Sequence, residues 1–496
     1  MTRVKQFVVP ALSFTGILVL GAAVAAGRGE FALVAVVGVV AALGLTTAYL
    51  VRPLGTVLGL WVFLLFQPFV VTLLGGKAEG LGSALTKAEN PVLILLVVVS
   101  LIHSASLRPA GRMLVYLPAI GYLLAGLSSS LLAGGSAYPT MLGAFLGAKT
   151  YAIFVVTLLL PWTAENVDRV FRFVLRFAVP VGIVALVDFV LPGPFRTLLP
   201  LGGRSDVRFG FESARGIFPI PALLASFMFC ALAALLARFC YQRRRTDLAR
   251  IAVLSLAAIL SLRFKAILGV AGAFATVAWV NPKAFGRKLG GFSLVGVAAL
   301  VLGGTLILGV ARQQVDTYLT GDRVTPRGLL FSTSYQISKD KFPLGVGFGR
   351  FGSAPSENPY SRVYEQYGLS TVRGLSQEQP TYLNDTSWPT ILGESGFIGL
   401  MFYAGGLLVI GARLLKQARD QALDARRRMV SLAGLATVAV FLLDSTGRPA
   451  IFDAFTALTV GLFVGAGLAL GGPRAANGPS RSRDKTRIDD PQEVVW

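Results

Sequence analysis

The chain has 496 residues, 54% of them hydrophobic and only 14% charged, with a mean hydropathy of +0.67, whereas a soluble domain carries about 25% charge. At about 20 residues per spanning helix this is the composition of an all-α, polytopic integral membrane protein. It excludes a secreted or cytosolic enzyme and, despite a formal charge of +21, a nucleic-acid binder; continuous rather than alternating apolar runs exclude a β-barrel.

Apolar runs between charged or Gly/Pro punctuation predict spans at 7–26, 31–50, 54–75, 91–106, 113–133, 140–161, 173–191, 217–237, 248–262, 266–280, 291–311, 388–412, 429–445 and 451–470. That is about 14 transmembrane helices, in a range of about 12 to 14. The run at 7–26 is too long for the apolar part of a signal peptide and another span follows at once, so it reads as the first anchor. The stretch 248–280 is split at Arg263 and Lys265, because one helix of that length would reach about 50 Å against a hydrocarbon core of ~30 Å. Cys230 and Cys240 fall near the end of one span, too far apart along it for a disulfide.

More than half of the 46 Lys and Arg residues fall in segments on the side of the N-terminus. The positive-inside rule therefore predicts both termini in the cytoplasm. The organisation follows: helices 1 to 11 over 1–311, with an outer loop at 192–216; one large outer loop at 312–387; helices 12 to 14 over 388–470; and a basic tail at 471–496 that reads as disordered and suited to anionic lipid. The large loop holds eight basic and seven acidic side chains, with aromatic residues and Gly-rich turns, a composition that folds. Lys149 and Asp188 fall within spans, where ionisable groups mark function or pair with each other.

The single histidine, His103, is predicted at a cytoplasmic helix end. A zinc site or a Ser-His-Asp arrangement on the outer face is thereby excluded. The inner loops offer Asp168, Asp247, Asp420 and Asp424, unpaired, where a nucleotide-sugar enzyme would want paired Asp for its metal. Any chemistry faces outward and uses carboxylates and arginines.

The most specific stretch is VDTYLTGDRVTPRGLLFSTSYQISKDKFPLGVGFGRFG, Val315 to Gly352, followed by YLNDTSWPTILGESGFIGLMFY from Tyr382 to Tyr403. Arg327, a Pro and a Gly-x-Gly-x-Gly run at Gly345, Gly347 and Gly349 precede a polar pair and a Glu-x-Gly-x-x-Gly helix starting at Glu394. This resembles the O-antigen ligase and polymerase family of bacterial membrane glycosyltransferases. Weaker patches are SARGIFPIPALLA from Ser213 and LSLRF, which contains Arg263. One departure matters: ligases of the family carry His-Asn where this chain has Asp385-Thr386, which leans the resemblance toward a polymerase.

The resemblance implies transfer of a glycan from a polyprenyl-diphosphate carrier to a hydroxyl of a glycan or glycolipid acceptor, on the outer face of a bacterial cytoplasmic membrane. It implies no metal or cofactor; membrane lipid and other envelope-assembly proteins are the further partners. Independently, arginine forks suit diphosphate oxygens, and Arg208, Arg215, Arg263, Lys265, Arg323 and Arg327 all fall on or near the outer plane. Cations placed there act most strongly as charge builds on the departing diphosphate. Asp385 is the expected base, with Glu394 and Glu212 as the other outer carboxylates. Each has a structural alternative: a helix cap for Asp385, pairing with a loop arginine for Glu394, a turn rather than a phosphate cradle for the glycines, helix packing for Gly396 and Gly399, and snorkelling to headgroups for Arg215 and Arg327. The rival class is a flippase or transporter of lipid-linked saccharides, for which repeat symmetry and broken midplane helices are expected.

Overall fold

The computed structural model describes residues 29–74, 79–105, 116–199, 206–208, 210–242, 244–282, 286 and 325–471. The expected spans at 7–26 and 291–311, Arg323, and the tail beyond 471 lie outside the described residues. Within them the regular structure is helical apart from one hairpin of two-residue strands, β1 (Val207–Arg208) and β2 (Phe211–Glu212).

Among the described residues, six helices are long and apolar enough to cross a membrane: α2 (Pro53–Leu74), α5 (Ala137–Leu158), α6 (Ala164–Val190), α8 (Pro221–Tyr241), α13 (Trp388–Arg419) and α14 (Ala425–Ser445). Shorter apolar stretches lie in α1 (Gly29–Val51), α3 (Glu79–Ala105), α4 (Leu117–Leu132), α10 (Phe264–Val280) and α15 (Ala454–Leu470). The protein is thus polytopic. The remaining helices are the short α7 (Pro192–Leu198), α9 (Arg245–Ile259), and α11 (Pro326–Asp340) and α12 (Arg362–Gln366) in the segment between α10 and α13. The split at Arg263 is present, with α9 ending at Ile259 and α10 starting at Phe264. Two helices start earlier than their apolar runs, α3 at Glu79 and α6 at Ala164. Polar residues continue the helical turns beyond the apolar segment, as the Glu165–Arg169 pair at 2.8 Å one turn apart shows for α6.

Helix α8 is apolar on every face and is buried along nearly its whole length, as a helix without a polar stripe must be. It packs on α9, α10 and α14, and α14 in turn on α13 and α15. Trp61 marks the crossing of α2, α6, α8 and α15: its ring meets Phe173, Phe177, Phe227 and Phe455 at centroid distances of 5.3–5.7 Å. Its buried indole N–H donates to Thr459 Oγ1 at 2.9 Å, the partner such a group requires.

Lys149 and Asp188 do not pair with each other. Lys149 meets Glu89 of α3 at 2.8 Å. Asp188 receives Arg196 at 3.1 Å and the backbone N–H groups of Arg215 and Gly216 at 2.7 and 3.0 Å. Asp188 lies near the end of α6 and takes its partners from the segments that follow, whereas Lys149 lies midway along α5 and takes Glu89 from α3.

The segment before α13 has a core of its own, built from Leu330, Ile337, Phe351, Tyr364, Leu369, Leu375 and Leu383. It docks into a break in α13. Gly396 has φ 70 and ψ −167, a region reserved for glycine, so this residue interrupts the helix rather than merely packing it. The carbonyls of Gly393 and Glu394 freed there accept from Val346 N and Gly347 N, both at 2.9 Å. A Cβ on Gly396 would lie 2.3 Å from the Leu344 carbonyl carbon. Gly396→Ala is therefore expected to cost at least about 1–3 kcal/mol from backbone strain alone, seen as a lower melting temperature of the detergent-purified protein.

Candidate functional site

Where this segment meets the ends of α5, α8, α10, α13 and α14, the bundle opens into a cavity of about 870 Å³. Arg208, Arg263, Lys265, Arg327 and Arg448 line it, with Asp385 and Asp453. The β1–β2 hairpin presents Arg208, the corner between α9 and α10 presents Arg263 and Lys265, and α11 presents Arg327. That corner is tight: Leu262 has φ 50, the one positive φ outside glycine among the described residues. Leu260 O there accepts from Ala214 N at 2.9 Å, tying the corner to the chain that follows the hairpin.

Every cation on this wall has a carboxylate. Asp206 bridges Arg263 and Arg208, the latter at 3.2 Å. Arg327 holds Asp385 through Nε at 2.6 Å and a terminal nitrogen at 2.5 Å. Lys265 meets Asp444 at 2.9 Å, and Arg448 meets both Asp444 and Asp453 at 3.0–3.1 Å. Burial, then the charge of Arg208, lowers the Arg263 pKa. For Arg448 burial acts against the charged form, but Asp444 and Asp453 more than offset it and raise the pKa. Leu268 and Leu443 line the same cavity while 42% and 37% exposed, so an apolar wall adjoins the charged one.

Of the expected site residues, Arg208, Arg263, Lys265, Arg327 and Asp385 converge here. Asp385 does not cap α13; the cap position is Ser387, and the carboxylate turns to Arg327. Glu212 and Arg215 are not on the cavity lining. Glu212 is bound to Arg196, and Arg215 is 7% exposed with its N–H on Asp188. Burial and the neighbouring Arg196 lower the Arg215 pKa. The hairpin that carries Arg208 to the cavity leaves these two beside α6 and α7.

Glu394 is 2% exposed and takes no arginine side chain. Its Oε1 accepts from Arg350 N at 2.9 Å, Phe351 N at 3.2 Å and Ser353 Oγ at 2.6 Å. It anchors the stretch whose Ser353 faces the cavity. The glycine run is structural too: Gly345 N donates to Ser129 Oγ at 3.2 Å and Phe348 N to Ser130 Oγ at 2.8 Å. With the bonds to α13, the N–H groups a phosphate cradle would need are already engaged. Gly347, at φ 93, passes so close to α4 that a Cβ would lie 2.6 Å from Ser130 Cα.

Arg448, Asp444 and Asp453 were not among the expected site residues. Their signal was available: three ionisable groups within ten residues, between two apolar helices, are costly unless they pair.

No known family model matches the chain, and no curated protein matches it. The chemical reading therefore rests on the cavity. Its forks and ammonium suit a polyanion of two phosphates, its apolar edge suits an acyl or prenyl chain, and Asp385 is a carboxylate within reach of whatever Arg327 binds.

Proposed function

We propose that this protein is a membrane glycosyltransferase. It moves a glycan from a polyprenyl-diphosphate carrier to an acceptor hydroxyl on the outer face of a bacterial cytoplasmic membrane, in envelope polysaccharide assembly, with a polymerase favoured over a ligase by Asp385 at the ligase His position. The observation that carries this reading is the convergence of Arg208, Arg263, Lys265 and Arg327 with Asp385 in one cavity that has an apolar edge. In this reading the chain has about 14 spans and both termini in the cytoplasm.

The donor diphosphate exchanges with carboxylates on the guanidinium groups. The Arg327–Asp385 pair is half-open: its side chains are 36% and 24% exposed, much like those of Arg208 and Asp206 at 35% and 25%, and a pair so placed contributes only about 0–1 kcal/mol. Arg327 then holds phosphate oxygen while Asp385 accepts the proton of the acceptor hydroxyl. The acceptor oxygen bonds to the anomeric carbon, the bond from that carbon to the phosphate oxygen breaks, and its electrons remain on the diphosphate, where the cations stabilise them. The prenyl chain lies along Leu268 and Leu443.

Deleting the gene and analysing the envelope glycan tests the function. Loss of chain length with single units retained supports a polymerase, and long lipid-linked chains that accumulate outside support a ligase. Donor trapped on the cytoplasmic side points to the flippase class and removes the proposal. Orientation has its own test. Cys230 and Cys240 are buried and Gln377 is exposed, so Gln377→Cys is expected to react with an impermeant thiol reagent in intact cells; labelling only after permeabilisation would reverse the topology.

A further inference from the structure

A second cavity, of about 680 Å³, lies beside the first. The stretch from Gly349 to Pro355 is the wall between them: Ser353 and Ala354 face the first cavity, Gly349, Arg350 and Pro355 the second. Glu394 holds that wall by its backbone, so the two cavities have a fixed relation.

Their electrostatics differ. The cations of the first cavity are each paired with a carboxylate. The second is lined by Lys341, Arg350 and Arg362 and by no Asp or Glu, and none of these three forms an ion pair among the described residues. The Arg350 side chain donates to Ala133 O at 2.8 Å, which fixes its position without neutralising it. Lys341 and Arg362 are exposed. The remaining lining includes the rings of Phe342 and Tyr360 and the hydroxyls of Ser136, Thr140 and Ser361. Uncompensated cations favour an anion, rings offer flat apolar faces, and hydroxyls exchange hydrogen bonds with other hydroxyls. A saccharide bearing acidic groups has all three complements.

We propose that this second cavity binds an acidic stretch of the glycan, with carboxylate or phosphate groups on its sugars, several units away from the reacting hydroxyl. The inference rests on the transferase reading and adds a substrate class to it: the polysaccharide is anionic, and the subsite holds the acceptor chain across the wall from the diphosphate.

Binding is measured without turnover, so the outcome is separate from the gene-deletion test of the transferase reading. Full-length protein in zwitterionic nanodiscs is titrated with an oligogalacturonate, a phosphorylated mannan oligosaccharide and a neutral malto-oligosaccharide of matched length. At least one acidic probe is expected to bind about tenfold or more tighter than the neutral one, and more weakly as salt rises. Arg350→Gln with Arg362→Gln is expected to lower that affinity at least about tenfold, while Arg373→Gln, at an exposed arginine that lines neither cavity, leaves it unchanged. Should the double variant not fold, Arg362→Gln alone, at an exposed side chain, is expected to lower it roughly threefold. Equal affinity for acidic and neutral probes, unchanged affinity in the Arg350 and Arg362 variants, or an equal loss in Arg373→Gln would overturn the proposal. So would loss of acidic-probe binding in phosphatidylglycerol nanodiscs, which would give the cavity to a lipid headgroup.

Discussion

In the proposed glycosyl transfer, Asp385→Asn is expected to lower the rate by about 100-fold or more, the usual worth of a positioned general base, while donor affinity is kept or improved. The sign of the second effect follows from the pairing. The Asp385 carboxylate occupies the Arg327 guanidinium at 2.5 Å, and the diphosphate of the proposed donor would have to displace it. An amide competes for the same fork without charge and is the weaker rival. Rate and affinity thus move in opposite directions, which a merely structural role for Asp385 would not produce. Arg327→Ala is the complement: it should lose donor affinity and nearly all activity, and Arg327→Lys most of it, because an ammonium lacks the bidentate fork.

Steady-state measurements with purified donor and acceptor separate these cases. If Asp385→Asn turns over at a near-normal rate, no other carboxylate among the described residues inherits the role easily. Glu212 and Glu394 are off the cavity lining, and Asp453, the other acid on it, is bound to Arg448 and to Thr456 Oγ1. The departing diphosphate itself would then take the proton.

Much of this arrangement was legible from the chain alone. Arg327 and Asp385 lie in the two stretches that carry the resemblance, and Arg263 and Lys265 were marked by the length argument that forbids one helix over 248–280. The same reasoning placed Glu394 and the glycines near the site but not their partners. A carboxylate inside an apolar helix suggests an arginine partner; here three donors from the incoming stretch satisfy it instead, because the break at Gly396 lets that stretch lie against the helix. In the run WPTILGESGFIGLMFY the Ser395-Gly396 pair at the break is a weak signal of a kink, because the apolar residues continue in helical order on both sides. Arg215 and Glu212 were misplaced for a geometric reason: a hairpin of two-residue strands reverses the chain at Gly210, so Arg208 and Arg215 end on different sides. Arg448 on its own, a single Arg in a short loop between spans, reads first as a topology signal.

The largest stability effect is expected at Asp444. Its carboxylate is 1% exposed at the end of α14 and accepts from Ser226 Oγ at 2.6 Å, Lys265 at 2.9 Å and Arg448 at 3.1 Å. Asp444→Ala leaves Lys265, whose side chain is 15% exposed, without a carboxylate among the described residues, and Arg448 with Asp453 alone. Removing one member of a buried ion pair costs about 3–5 kcal/mol, because the stranded charge stays desolvated. Asp385→Asn, at a half-open pair, should change stability by no more than about 1 kcal/mol. The comparison separates a buried frame of Lys265, Asp444, Arg448 and Asp453 from the half-open pair of Arg327 and Asp385, with Arg208, Arg263 and Asp206 a third group on the same wall. Thermal unfolding of both variants in the same detergent tests the division. If Asp444→Ala melts with the parent protein while Asp385→Asn does not, the assignments are reversed: Lys265 and Arg448 are then the cations free to meet a ligand, and Arg327 and Asp385 belong to the frame.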